Sequence, residues 1–284
     1  MKKILGIVSS PRKLGNCELV IKEISRQIDV PHELSLLRLS DFSILPCKGC
    51  YTCLFKQQRC PLKDDLNTII DALVEADAVI LSAPTYLLDA NAMLKVVIDR
   101  GLAFYAAADG LWGTPAIGVG VAGIEGKEGA TVLGLQRFLS MFMADKKMCT
   151  MVYGALPGEV LLNEKNKAVI GDLAAALFRT APEPKEPCCP LCGGDTFRFL
   201  GDNRVRCMLC SNAGTVDGAT GTLVFHIEKS GHDLFLTDRD ALSHRDWLRE
   251  MKARFKEIKG DIAAITSEYK DDGTWIRPGK SDDA

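Results

Sequence analysis

Apolar residues follow two different periods along the first 180 residues. KILGIV (3–8), DAVILSAP (77–84), PAIGVGV (115–121) and MCTMVYGAL (148–156) are short, nearly unbroken apolar runs. Such runs predict strands buried on both faces, the third-unit strand closing at Pro84. ELSLLRL (33–39) alternates and predicts a further strand. Between these lie CELVIKEISRQI, DDLNTIIDALVEA, ANAMLKVVIDRGLAF, GATVLGLQRFLSMFMA and NEKNKAVIGDLAAALFRT. Each repeats its apolar residues at helical spacing, and the second opens on acidic residues that suit a helix N-terminus.

Strands alternating with helices predict a parallel sheet covered on both faces. Five β/α units predict a doubly wound, flavodoxin-like α/β sheet with strand order 2-1-3-4-5 over residues 1–180. The pattern stops at 181–187, APEPKEP, where three prolines predict a stiff linker. Beyond it, 188–227 reads as a small module of short β segments. Residues 228–284 read as one charged helix, near 239–268, and a polar tail.

The 284 residues carry 47% hydrophobic and 25% charged side chains and a formal net charge of −2. So even a balance gives no general attraction to nucleic acid or to an anionic membrane. No apolar run reaches the roughly 20 residues of a membrane helix. ILGIV is too short for the core of a signal peptide, so a cytoplasmic protein is expected. Eleven cysteines alter this ordinary picture, because nine of them fall at 47–60 and 188–210. In a reducing compartment, clustered cysteines point to metal rather than to disulfides.

In a doubly wound sheet, ligands bind at the carboxyl ends of the strands. SSPRKLGNC follows the first strand there. Ser9, Ser10 and Asn16 offer donors, Arg12 offers charge, and Gly15 lets the backbone turn, as an anion site requires. Neither a GxGxxG fingerprint nor a P-loop is present in this stretch. After the third strand, Pro84, Thr85 and Tyr86 are placed to meet a planar ligand. Gly123 and Gly126, after the fourth, allow close approach.

CKGCYTCLFKQQRC (47–60) gives C-x2-C-x2-C-x6-C, and Pro61 follows. Zinc sites usually pair cysteines across a dozen or more residues. Three cysteines at x2 spacings with a fourth nearby predict a cubane [4Fe–4S] site on Cys47, Cys50, Cys53 and Cys60. A zinc knuckle and a dithiol pair are the alternatives. Lys48 and Arg59 lie between these cysteines, and positive charge there would raise a cluster's potential. The second group, Cys189, Cys192, Cys207 and Cys210, gives C-x2-C-x14-C-x2-C. This predicts a zinc-ribbon or rubredoxin-like knuckle, with zinc expected and iron the alternative. The four histidines are scattered and suggest no catalytic site.

Three stretches together resemble one family. SSPRKLGNC is similar to the S-P-R-x-x-G-N-[ST] loop of the NADPH-dependent FMN reductase and iron–sulfur flavoprotein group, with Cys17 where Ser or Thr is usual. PTYLLDANAMLKVVIDR resembles that group's S-P-x-Y and S-A-x-L-K-x-x-I-D-R patterns. Asn91 takes the Ser position, and Leu94, Lys95, Asp99 and Arg100 match. The 47–60 spacing resembles the compact motif of the iron–sulfur flavoproteins, between the second strand and second helix. The resemblance covers residues 1–180. It implies FMN, with phosphate on Ser9, Ser10, Arg12, Gly15, Asn16 and Cys17. The ring system would lie near Pro84, Thr85, Tyr86 and Asn91, with the loop of Gly123 and Gly126 along its edge. It also implies homodimers or homotetramers in which the cluster of one subunit approaches the flavin of another.

The expected function is electron transfer through FMN and [4Fe–4S], between a low-potential donor such as ferredoxin and an acceptor. The alternatives are an NAD(P)H-dependent FMN, quinone or small-molecule reductase, and a redox sensor that docks a partner through the ribbon.

Overall fold

In the computed structural model, described residues are 1–57, 59–179, 187–218 and 223–269. Most of the linker (181–187), part of the apolar stretch 221–227 and the tail from 270 lie outside them. Met1–His244 form one compact unit, and the chain from Arg245 forms a second.

The first unit begins with β1 (Lys2–Val8), α1 (Asn16–Arg26) and β2 (His32–Arg38). The cysteine segment follows, then α2 (Leu66–Val74), β3 (Ala78–Tyr86), a two-residue β4 (Asp89–Ala90) and α3 (Ala92–Ile98). A 3-10 turn over Gly101–Ala107 leads into α4 (Ala108–Leu111), β5 (Pro115–Ala122), α5 (Thr131–Met141), β6 (Asp145–Tyr153) and α6 (Glu164–Ala176). The main sheet is parallel, in the order β2-β1-β3-β5-β6. This is the 2-1-3-4-5 order of the five main strands.

The strands alternate their side chains between two cores. Leu5, Ile7, Val79 and Leu81 face α2, α3 and α5 through Ile69, Leu94, Val97 and Phe138. Ile4, Val8, Ile80 and Val119 face α1 and α6 through Val20, Ile24, Ile170 and Leu173. Asn163 caps α6, its side-chain oxygen accepting from the Lys165 and Asn166 N–H groups.

Two boundaries differ from the periodicity. β3 does not stop at Pro84 but continues to Tyr86 and folds back on β4. Pro84 needs no N–H here because its own carbonyl carries the contact, accepting from Asn91 N–H. The helix expected over 90–104 ends near Arg100, whose side chain turns inward.

The ribbon is an antiparallel meander of β7 (Phe197–Gly201), β8 (Arg204–Cys207), β9 (Ala213–Asp217) and β10 (Val224–Ile227). Phe197 stacks on Phe225 with ring centroids 3.8 Å apart. The core is small: Cys189, Val205, Cys207 and Ile227. Arg137 on α5 donates to the Met208 carbonyl, so the ribbon is joined to the sheet domain within the first unit. β9 escapes the sequence pattern because AGTVD has no alternating apolar run.

α7 (Asp238–Glu268) continues from the first unit into the second. Leu248, Met251, Phe255, Ile258, Ile262, Ile265 and Tyr269 recur at spacings of three and four, the a/d stripe of a heptad pattern. No helix among the described residues is long and apolar enough to cross a membrane.

Candidate flavin site and metal centres

The loops after β1, β3, β5 and β6 enclose a cavity of about 230 Å³ at the carboxyl edge of the sheet. Ser10, Arg12, Gly15, Asn16, Cys17, Pro84, Thr85, Tyr86 and Gly123 line it, joined by Val121, Gly154, Ala155 and Pro157. Part of the lining is polar: the Ser10 hydroxyl, Arg12 and the first turn of α1, whose N–H groups have no acceptor within the helix. The rest of the lining, with Pro84, Tyr86, Val121 and Pro157, is largely apolar. A phosphate joined to a planar ring system fits that division.

The polar loop is fixed by groups that spacing does not reveal. Glu18, 6% exposed, accepts from Leu14 N–H at 2.8 Å and pairs with Lys22 and Arg38. Arg38 also donates to the Arg12 carbonyl, so one guanidinium grips both the loop and its acidic anchor. Burial alone would raise the Glu18 carboxyl, but Lys22, Arg38 and the Leu14 N–H outweigh it and lower it to about 2. Gly15 is extended, and a Cβ there would come within 2.9 Å of Arg12 Cβ. Close approach, not a special φ, therefore requires glycine.

Several of the expected site residues are turned to other work. Ser9 is buried and its hydroxyl donates to Asn91 Oδ1, while Asn91 Nδ2 donates to the Ser9 carbonyl. That pair lies behind the loop and ties β1 to the start of α3. Asn16 is at the cavity wall, but its Nδ2 donates to Gly154 O and its Oδ1 accepts from Gly158 N–H. It locks the β6 loop onto the β1 loop. Thr85 shares its hydroxyl bond with Thr131. Gly126 has a left-handed φ of 79° but opens to solvent and is not among the lining residues. Gly129 is the constrained glycine of this loop, since a Cβ there would meet the Leu88 carbonyl at 2.0 Å. Cys17 is 2% exposed, and burial pushes its thiol up to about 12. It packs beneath the loop as an inert thiol.

Leu87 and Leu88, between β3 and β4, both have left-handed φ, 49° and 67°. This is a hairpin turn that normally takes Asn-Gly, and leucines there are strained. Leu87 is fully exposed. Leu14, Tyr86, Leu88, Ile124 and Leu156, from the loops bordering the same edge of the sheet, are exposed too.

Cys47, Cys50, Cys53 and Cys60 line one small cavity with Arg100. The two ends of their segment are zipped together. Ser43 N–H and Leu45 N–H donate to Asp65 and Asp64, and Asp65 N–H donates to Ser43 O. Gly49 and Tyr51, both with left-handed φ, turn the chain around Cys50, and a single π-turn spans Cys53–Gln57. Hydrogen bonds from Thr52 lower the Cys50 thiol. Burial, with Cys60 and Cys50 nearby, raises that of Cys53. Crowded thiolates of this kind are offset by a bound cationic centre. Arg59 is drawn to Asp71 on the exposed side. Lys95 is exposed and pairs with Asp99, whereas Arg100 is 2% exposed.

Among the described residues, only Cys189, Cys192, Cys207 and Cys210 bring ligand atoms all within 4.8 Å of one another. Cys189 Sγ lies 3.8 Å from Cys210 Sγ, and Cys192 Sγ lies 3.5 Å from Cys207 Sγ. Tetrahedral thiolates around a single ion, each about 2.3 Å from it, stand about 3.8 Å apart. The ribbon therefore fits a mononuclear centre. Cys47, Cys50, Cys53 and Cys60 are not gathered that closely, though they line one cavity. All eleven cysteines are free of disulfides.

Residues 2–151 match the family model of NADPH-dependent FMN reductase. The chain belongs to this family. Among curated relatives, an iron–sulfur flavoprotein of Archaeoglobus fulgidus is 31% identical over 180 residues, 63% of this chain and 81% of that one. One from Methanocaldococcus jannaschii is 36% identical over 99 residues. That match is 34% of this chain, which thus spans about half (51%) of that relative's length. The FMN reductase domain is accordingly of the iron–sulfur flavoprotein kind. A solved flavone reductase superposes with a TM-score of 0.71 at 17% identity, over 98% of this chain and 100% of that one. That likeness, at so low an identity, concerns the fold alone.

Proposed function

We propose that the protein is an FMN- and [4Fe–4S]-containing oxidoreductase that passes electrons between a low-potential donor protein such as ferredoxin and an acceptor. The observation that carries this reading is the pairing of two sites on one domain. A cavity lined by both polar and apolar groups lies at the sheet's carboxyl edge, and four cysteines line a second cavity on the segment after β2. Ser10, Arg12 and the first turn of α1 would hold the phosphate, and Pro84, Thr85 and Tyr86 the ring system. Cys47, Cys50, Cys53 and Cys60 would ligate the cluster. When bound, FMN exchanges electrons in pairs or singly and the cluster exchanges them one at a time. The chain's own task is to orient these groups and set their potentials.

The strained, exposed Leu87–Leu88 turn and the neighbouring apolar side chains favour a second reading, reduction of a small planar apolar acceptor with NAD(P)H as donor. Anaerobic mixing separates the two readings. Bleaching of the flavin by reduced ferredoxin, without NAD(P)H oxidation, supports the first. Rapid oxidation of NAD(P)H by the isolated protein, without any partner, supports the second and contradicts the first.

Zinc in the ribbon is proposed as structural. Cys189, Cys192 and Cys210 share a cavity with Asp145 and Lys146 at the start of β6, whereas Gly154 at its far end lines the flavin cavity. Eight residues of strand separate these ends by roughly 26 Å. Direct electron exchange with the same chain's flavin is slow over that length. Assembly of two or more copies is also proposed, and the heptad stripe of α7 supports it. A cytoplasmic site of action is also proposed, from the clustering of cysteines expected of metal ligands in a reducing compartment.

A further inference from the structure

Arg100 follows α3 at a place where a cation would ordinarily be solvated, yet its side chain is only 1% exposed. Its guanidinium reaches three parts of the cysteine segment. Nη1 donates to the Leu45 carbonyl at 2.6 Å, two residues before Cys47. Nη1 and Nη2 donate to the Asp64 carboxylate at 2.6 and 3.2 Å, four residues after Cys60. Nη2 also donates to Cys60 Sγ at 2.9 Å. The buried Nε finds no acceptor among the described residues, and Arg100 lines the same cavity as the four cysteines.

A clamp for the two ends of the segment needs only the Leu45 and Asp64 contacts. The bond to sulfur and the orphaned Nε–H are not explained by that role. Leaving a buried donor unpaired costs about 1–3 kcal/mol, and an electron-rich sulfur centre in this cavity would offer it an acceptor. Asp64 holds the guanidinium in place. Burial alone would raise its carboxyl, but Arg100 and the Leu45 and Leu66 N–H groups hold it below its ordinary value.

We propose that Arg100, oriented by Asp64, is a positioning residue that raises the reduction potential of the cluster through its N–H···S bond to Cys60. The inference rests on the reading that Cys47, Cys50, Cys53 and Cys60 ligate a [4Fe–4S] cluster. Hydrogen bonds to cluster sulfurs are a principal determinant of potential, because a donor stabilises the more negative, reduced state. Arg100 remains charged at every relevant pH, so the effect persists across the neutral range. Lys48 and Arg59 cannot substitute for it. They are exposed, and salt screens their charge.

The test compares anaerobically purified full-length wild type, Arg100→Lys and Asp64→Asn. Iron, sulfide and FMN per chain are measured first, followed by a redox titration read by electron paramagnetic resonance. The flavin potential in the same sample is the control. Arg100→Lys keeps the charge but loses the fork, and the cluster's one-electron equilibrium should move at least tenfold toward the oxidised form, about 59 mV. Asp64→Asn frees the guanidinium from its anchor and should move the equilibrium in the same direction, while the flavin potential stays put in both. A loaded wild type whose loaded variants titrate at an unchanged potential overturns the assignment of Arg100 alone. Loss of the cluster from both variants, with FMN retained, reduces Arg100 to a loop clamp and also overturns it. A wild type that holds FMN but no sulfide removes the cluster reading itself.

Discussion

Glu18 and Arg38 meet at 2.7 Å beneath the loop that walls the flavin cavity. Their side chains are 7% and 14% exposed, so solvent screens the pair little. The Glu18 carboxyl is lowered from 4.5 to about 2. A lowered acid stabilises the fold fully above its unfolded value, and that stabilisation fades as pH falls toward the folded value. The shift corresponds to stabilisation on the order of 3 kcal/mol at neutral pH. Glu18→Gln should cost roughly 2–4 kcal/mol at pH 7 and flatten the loss of stability between pH 4.5 and 2. Denaturant melts across that range check both effects.

Asn16 contributes to the flavin site at one remove. Its two hydrogen bonds fix Gly154 and Gly158, and with them the wall carrying Ala155 and Pro157. Asn16→Ala should loosen FMN by about ten- to a hundredfold, from the loss of two bonds worth about 1 kcal/mol each plus partners left unpaired. The stacking side, at Tyr86, should be untouched. Flavin fluorescence titration gives the affinity, and an unchanged affinity would show that the two loops hold their places without it.

The two cysteine groups should fail independently. Cys50→Ala should abolish sulfide and iron in the first segment while FMN and the ribbon metal remain. Cys192→Ala should release the ribbon metal and lower the thermal stability of a module whose four-residue core cannot sustain it alone. Its effect on bound FMN should be negligible. Elemental analysis and flavin content of the two variants check this, and concerted loss of all three groups from either would contradict it.

The six apolar a/d positions of α7, Leu248 to Ile265, should drive assembly. Ile258→Asp combined with Ile262→Asp should lower the oligomeric state or weaken it at least tenfold, with FMN content unchanged. Light scattering across a dilution series reads the outcome directly.

The parallel sheet was legible because KILGIV, DAVILSAP and PAIGVGV are continuous apolar runs between helical periods, a pattern that local chemistry alone produces. The cavity-facing positions of SSPRKLGN and PTY were legible because topology puts those loops at one edge. The partners of Ser9, Asn16 and Asn91 were not, because hydrogen bonds spanning 82 to 142 residues leave no local signature. The same holds for Arg100. Nothing in VVIDRGL signals that Asp64 and Leu45, 36 and 55 residues away along the chain, return to its side and hold the cation buried. β4 and β9 escaped notice because two residues, or a Gly-Thr stretch, carry too little periodicity to read.

The most direct test of the whole account is composition. Protein purified without oxygen should be assayed for FMN, iron, acid-labile sulfide and zinc, with a visible spectrum of the same sample. The account predicts one FMN per chain, roughly four iron and four sulfide on the first cysteine group, and one tetrahedral metal ion in the ribbon. Zinc in both cysteine groups with no sulfide, or a chain that binds no flavin, would contradict it.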